Sequence, residues 1–311
     1  MLTSNIVLTD KRVNTKSIKN LEDSLHHILV SIYAAIEAGN AILQVYRSSD
    51  FKVEQKADKS PLTLADRNAH DVIMQHLSDF DIPVLSEEGK HTPYDERKRW
   101  GTFWIVDPLD GTKEFIKKNG EFTVNIAMIS KNKPVAGVVL VPDKNILYFA
   151  SSEIGSYRVD VSQIAELLSA KSGNMGKPID LSDSKTAEIV SELIGHSTKL
   201  PISQSPRQPY TIAGSRSHAT PELEAFVEEK RKEYGEVEFI SAGSSLKLCL
   251  VAEGRADIYP RTGPTMEWDT AAGQAIVENA GGKVYQYDTI EPLEYNKENL
   301  LNQWFVALSV K

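Results

Sequence analysis

The chain has 311 residues, 41% hydrophobic and 25% charged, which excludes a disordered, collagenous or coiled-coil protein and suffices for a large core shared by two sub-domains. With 35 basic against 43 acidic residues its formal charge is −8, a poor match for a nucleic-acid polymer, whose phosphates are neutralised by Lys and Arg. A single cysteine, Cys249, excludes an internal disulfide framework and suits a reducing, cytoplasmic setting.

Residues 1–19 are polar and aperiodic, a loose leader without the apolar core of a secretory signal. No segment is expected to supply the roughly 20 apolar residues of a membrane span. Leu21, Leu25, Ile28, Leu29, Ile32, Ala35, Ile36 and Leu43 recur at three and four, which predicts a long amphipathic helix over 21–46. A polar stretch with Pro61 then marks a turn or short hairpin, and a second helix is expected over 64–77. From there the period changes to strands at 82–85, 102–106, 123–129, 135–141 and 146–150, a meander-like sheet packed by the two helices. Gly, Ser and Pro become frequent around 155–210, between two short helices at 162–170 and 185–194, so an insert near 159–207 is placed here. Strands at 210–213, 256–259 and 283–287 then alternate with helices at 221–232, 244–253 and 268–280. The division expected is an N-terminal α+β domain over 1–155 and a C-terminal α/β domain over 156–311.

The most specific string is DPLDGT over residues 107–112. Asp107 and Asp110 follow a strand at a spacing of three, with Pro108 stiffening a turn and Gly111 relaxing it. Both carboxylates and the Leu109 carbonyl can then converge on one point, an oxygen-only ligand set for a hard cation such as Mg²⁺. Gly111 and Thr112 can open a short helix whose free N–H groups face an anion. An isolated D-x-x-D is most often just a capped turn, and further acids share the ambiguity: Glu87 and Glu88 after another strand, Asp269 as a helix N-cap, Asp66 at the start of the second helix. Lys247 is balanced between a solvated helix position and an anion ligand. His26, His27, His70 and His76 lack zinc-ligand spacing and are expected at the surface.

Together the strings DPLDGT, the upstream Glu87-Glu88 and the WDTAAG over 268–273 resemble the inositol-monophosphatase superfamily of Mg²⁺-dependent, lithium-sensitive phosphatases, in matching order over residues 25–308. The DGTKEF over 110–115, NGEFTVN over 119–125, GSSLKLCLVAEG over 243–254 and YPRTGP over 259–264 are similar to its bacterial 3'(2'),5'-bisphosphate nucleotidase branch. The resemblance implies a layered αβαβα sugar-phosphatase fold and a role for each matching residue. Glu87, Asp107, the Leu109 carbonyl, Asp110 and Asp269 match metal ligands. Asp66 and Thr112 match the pair that activates water, and the Gly111 and Thr112 amides match a phosphate cradle. Ser244, Lys247, Arg261 and His218 correspond to groups facing the nucleoside and its second phosphate, with Lys247 and Arg261 as a 5'-phosphate clamp. The five carboxylates Asp66, Glu87, Asp107, Asp110 and Asp269 stay net negative with two Mg²⁺ and turn positive with three, so two resident ions and a third arriving with substrate are expected. The partner implied is a small phosphorylated nucleotide, handled by a monomer or homodimer. An inositol or sugar phosphatase, or a non-catalytic nucleotide or metal sensor, are the alternatives.

Overall fold

Helices α1 (Thr15–Tyr46) and α2 (Leu64–Leu77) flank a two-residue antiparallel pairing of β1 (Glu54–Gln55) with β2 (Pro61–Leu62), the hairpin expected around Pro61. These coordinates are a computed structural model describing residues 15–48, 54–55, 61–172, 183–203, 206–215 and 220–310. Then come β3 (Val84–Ser86), α3 (Tyr94–Arg97), β4 (Thr102–Asp110), α4 (Thr112–Ile116), β5 (Thr123–Ser130), β6 (Lys133–Val141), β7 (Ile146–Ser151) and β8 (Gly155–Asp160). Helices α5 (Ala165–Ser172) and α6 (Asp183–Gly195) precede β9 (Thr198–Lys199), which closes a seven-stranded sheet in the order β3 to β9. Strands β4 to β8 form the expected antiparallel meander, with β3 parallel to β4 at one edge.

Alternation along β4 shows how the layers arise. Trp104 and Val106 face α1 and α2, whereas Phe103 and Ile105 face the other way, so both faces of the sheet are buried. The second face packs on α8 (Leu246–Ala252) and α9 (Glu267–Asn279). Beyond them lies a five-stranded sheet, ordered β11 (Val237–Ser241), β10 (Tyr210–Gly214), β12 (Ile258–Arg261), β14 (Phe305–Leu308), β13 (Lys283–Gln286). Its outer face is covered by α7 (Pro221–Tyr234) through Phe226 and Val227. This is the αβαβα stack that the resemblance implied. Close approach of α9 explains the small residues of WDTAAG: a Cβ on Gly137 of β6 would lie 2.5 Å from the Ala272 carbonyl.

Hydrogen bonding of the first sheet runs past residue 155, through β8 and back at β9, so a division at 155/156 cuts two strands from the sheet they pair with. Strands β8, β11 and β14 and the one-turn α3 had no counterpart in the sequence reading, being four to six residues long with weak periodicity. The helix expected over 244–253 starts later, at Leu246, because Ser244 has φ 50°.

One expectation about α1 is corrected. By length and composition Asn20–Tyr46 (27 residues, containing an 18-residue window of mean hydropathy 1.6) suffices to cross a membrane. Its apolar residues are engaged elsewhere: 67% of that window is buried, and Leu29, Ile32 and Ile42 are fully so. Each such side chain contributes about 1.5–3 kcal/mol to the core. The histidines are corrected as well. His76 is buried and lies 2.9 Å from Glu37 of α1, while His27 sits edge-on to Phe80 and Trp104, where burial depresses its pKa to about 4.

Candidate functional site

The expected turn at DPLDGT is instead the bulged end of a strand. Asp107 pairs with Asn125 and Asp110 with Thr123, with a register shift between them. The bulge turns both carboxylates to the same side, and the Leu109 N–H donates to Asp107 Oδ1 at 3.0 Å. Gly111 then adopts φ 90° to cap α4; a Cβ there would lie 2.0 Å from Ser244 Oγ, so only glycine fits.

Asp269 arrives from α9. It is the third residue of that helix, not its N-cap, and its Oδ2 accepts the Met266 N–H at 2.9 Å. One oxygen each from Asp107, Asp110 and Asp269 lies within 4.8 Å of the others. Ionised together at that spacing, each pair would repel by at least about 3.5 kcal/mol at an effective dielectric near 20. Burial above all, then Glu87, Asp110 and Asp269, push the Asp107 carboxyl well above the usual range; burial and Asp110 push Asp269 up to about 8. Such a trio is stable only protonated or around a cation, and its all-oxygen donor set fits a hard divalent ion. Glu87 adjoins the trio through a hydrogen bond to Asp107.

Asp66 stands beside this group, at the third position of α2. Its Oδ2 accepts from the Thr63 N–H at 2.8 Å and from the Thr63 hydroxyl, while the Thr112 hydroxyl reaches Oδ1 at 3.5 Å. The expected pairing of Asp66 with Thr112 is therefore present, and the capping role is present with it.

Opposite the acids stand two cations. Lys247 is 5% exposed, which rules out the solvated helix position. Its Nζ donates to the Ser244 carbonyl at 2.7 Å and the Ala242 carbonyl at 3.3 Å, 5.5 Å from the Tyr259 ring centroid. Burial lowers its pKa to about 8, against the pull of Asp110. Arg261 donates to the Pro264 carbonyl at 2.9 Å, and its buried Nε has no acceptor among the described residues. Asp110, Thr112, Ser244, Lys247, Arg261 and Asp269 line one cavity of about 430 Å³, a size suited to a small ligand. His218 lies outside the described residues.

Sequence reasoning missed the neutral groups that hold these charges. Asp110 Oδ2 accepts from the Ser245 N–H (2.6 Å), the Ser245 hydroxyl (2.9 Å), Thr123 (3.4 Å) and Asn125 (3.5 Å). The motifs FTVN and GSSLK contain all three residues, but a lone polar position carries no signal of what it touches.

The sequence pattern of the inositol monophosphatase family matches residues 24–304. This chain belongs to the inositol monophosphatase family. Among family relatives, the 3'(2'),5'-bisphosphate nucleotidase CysQ of Escherichia coli K12 is 42% identical and that of Shigella flexneri 41%, each over 87% of this chain and 95% of the relative. The crystal structure of CysQ from Bacteroides thetaiotaomicron, a bacterial member of the family, matches with a TM-score of 0.78 at 46% identity, covering 92% of this chain and 98% of that one. The family is metal-dependent, and in this member Asp107, Asp110 and Asp269 form a cluster of acidic residues.

Proposed function

We propose that this chain is a Mg²⁺-dependent phosphomonoesterase that removes the 3'-phosphate of adenosine 3',5'-bisphosphate, and that of 3'-phosphoadenosine 5'-phosphosulfate as a second substrate. The observation that carries the reading is the juxtaposition, on one cavity, of Asp110 and Asp269 with Lys247 and Arg261. A metal-assisted phosphatase needs the first pair, and a substrate with two phosphates needs the second. The likeness to CysQ over nearly the whole chain supports the same choice.

Glu87, Asp107, the Leu109 carbonyl, Asp110 and Asp269 would hold the metal, two ions at rest and a third with substrate. Bound divalent ions supply counter-charge to the phosphoryl oxygens and a more acidic water. The chain itself supplies the proton path. Thr63 holds Asp66 Oδ2, which leaves Oδ1 facing Thr112. An attacking water passes its proton to Thr112 Oγ1 as the Thr112 hydroxyl proton moves to Asp66 Oδ1. A bond from the water oxygen to phosphorus forms, the bond from phosphorus to O3' breaks with its electron pair on O3', and that oxygen takes a proton from solvent, to which Asp66 releases the one it accepted. The Gly111 and Thr112 amides steady the transferred phosphoryl group. Lys247, Arg261 and Ser244 hold the 5'-phosphate end.

Phosphate release from adenosine 3',5'-bisphosphate and from inositol 1-phosphate, both with Mg²⁺, tests this. Charge-assisted bonds from two cations should favour the nucleotide at least about a hundredfold in kcat/KM. Preference for inositol 1-phosphate would reject the nucleotide reading.

A further inference from the structure

We propose that Ser245 is a positioning residue for the cation site, a hydroxyl latch that holds one carboxylate oxygen of Asp110 and so fixes which oxygen of Asp110 faces the metal. The inference rests on the metal-dependent reading above and adds to it a residue with no sequence signature.

Ser245 is 3% exposed, at the start of α8, where its carbonyl accepts the Leu248 N–H at 3.0 Å. Its side chain therefore projects from a fixed backbone. The hydroxyl oxygen lies 2.9 Å from Asp110 Oδ2, on β4, and 2.7 Å from the Asp269 carbonyl, on α9. It also accepts from Asn125 Nδ2 at 2.9 Å, and Asn125 is 1% exposed on β5. Strand β4, strand β5 and helix α9 thus meet on one oxygen.

That hydroxyl has one proton and two acceptors. An ionised Asp110 is the stronger acceptor, since a hydrogen bond to a carboxylate outweighs one to a neutral carbonyl. With the Ser245 N–H at 2.6 Å, Ser245 then gives Oδ2 both of its shortest bonds, and among the described residues no donor reaches Oδ1. Oδ1 is left as the ligand atom, with its direction set by Oδ2. Outer partners of this kind orient metal ligands, and their loss typically weakens metal binding about 10–100-fold.

The test compares the full chain with Ser245→Ala and Ser245→Thr, titrating Mg²⁺ by calorimetry without substrate and following phosphate release against Mg²⁺. For Ser245→Ala the Mg²⁺ dissociation constant should rise at least about tenfold. The KM for adenosine 3',5'-bisphosphate at saturating Mg²⁺ should move less than about twofold, as expected of a group that acts through Asp110. Ser245→Thr, which keeps the hydroxyl, should recover most of the Mg²⁺ affinity. Should Ser245→Ala fail to fold, Ser245→Cys, whose thiol is a much weaker donor, takes its place and should weaken Mg²⁺ binding at least about threefold. Unchanged Mg²⁺ affinity in the folded variant, or a raised KM with unchanged Mg²⁺ affinity, overturns the inference while the metal reading stands. A wild-type chain without Mg²⁺ affinity overturns both.

Discussion

The cavity and the interior handle buried charge differently. In the interior, cations meet carboxylates directly: Lys297 lies 2.6 Å from the fully buried Glu267, and Arg158 2.9 Å from Glu253. Around the cavity, neutral groups hold four of the charges. Asp110 is held by Ser245, Thr123 and Asn125, Asp66 by Thr63, and Lys247 and Arg261 by main-chain carbonyls. A charge satisfied by neutral donors or acceptors keeps most of its field for a ligand, whereas an ion pair cancels its own. The contrast separates ionic groups that hold the fold together from those left to act on something else.

The strongest attempt to break this contrast removes one cavity charge. Asp110→Asn is isosteric and keeps its neighbours, so the chain should stay folded while kcat for phosphate release falls about 10³–10⁴-fold, several kcal/mol of lost charge stabilisation. Retention of wild-type turnover would show the acids to be structural after all. Thr112→Ala removes the proposed proton carrier and should lower kcat about 10²–10⁴-fold with circular dichroism unchanged.

Lys247→Met sharpens the basic side of the comparison. The KM for adenosine 3',5'-bisphosphate should rise about 10–100-fold, whereas adenosine 3'-monophosphate, lacking the 5'-phosphate, should be hydrolysed as by the wild type. The pH dependence follows from its pKa, lowered from 10.5 to about 8. The ammonium is lost as pH rises through about 8, so the wild-type KM for the bisphosphate should climb above that pH and the Lys247→Met value should not. The unfolded chain keeps its proton up to about 10.5, so this group also makes folding stability rise with pH between those values.

Two smaller effects probe the frame. Gly111→Ala forces a Cβ against Ser244 at φ 90° and should cost about 1–3 kcal/mol, read as a lower midpoint in thermal or urea unfolding. Without metal, the raised Asp269 pKa means that the folded state binds more protons than the unfolded one between pH 4 and about 8, so stability falls as pH rises through that window. Mg²⁺ should relieve this, giving a larger rise in unfolding temperature at pH 8 than at pH 6, by a few degrees. An equal rise at both would place the ion elsewhere.

Much of this was legible in particular residues. The three-and-four spacing of Ile28, Ile32 and Ala35 predicts α1, and all three are buried. The strings DPLDGT and WDTAAG predict that Asp107, Asp110 and Asp269 meet, and they do. Ser245 was not legible, because one polar residue next to another in GSSLK breaks no pattern. His76 was misread because its partner Glu37 belongs to another helix, 39 positions away. The burial of Lys247 was partly written in its surroundings, since every residue of α8 is buried.

By itself the sequence determined the order of helices and strands and the kinds of charge that the site would hold, since periodicity and residue type are properties of neighbouring positions. Tertiary structure decided which of those charges are cancelled and which stay open. Burial and distance between groups far apart in the chain govern that choice, and they exist only once the five layers have packed.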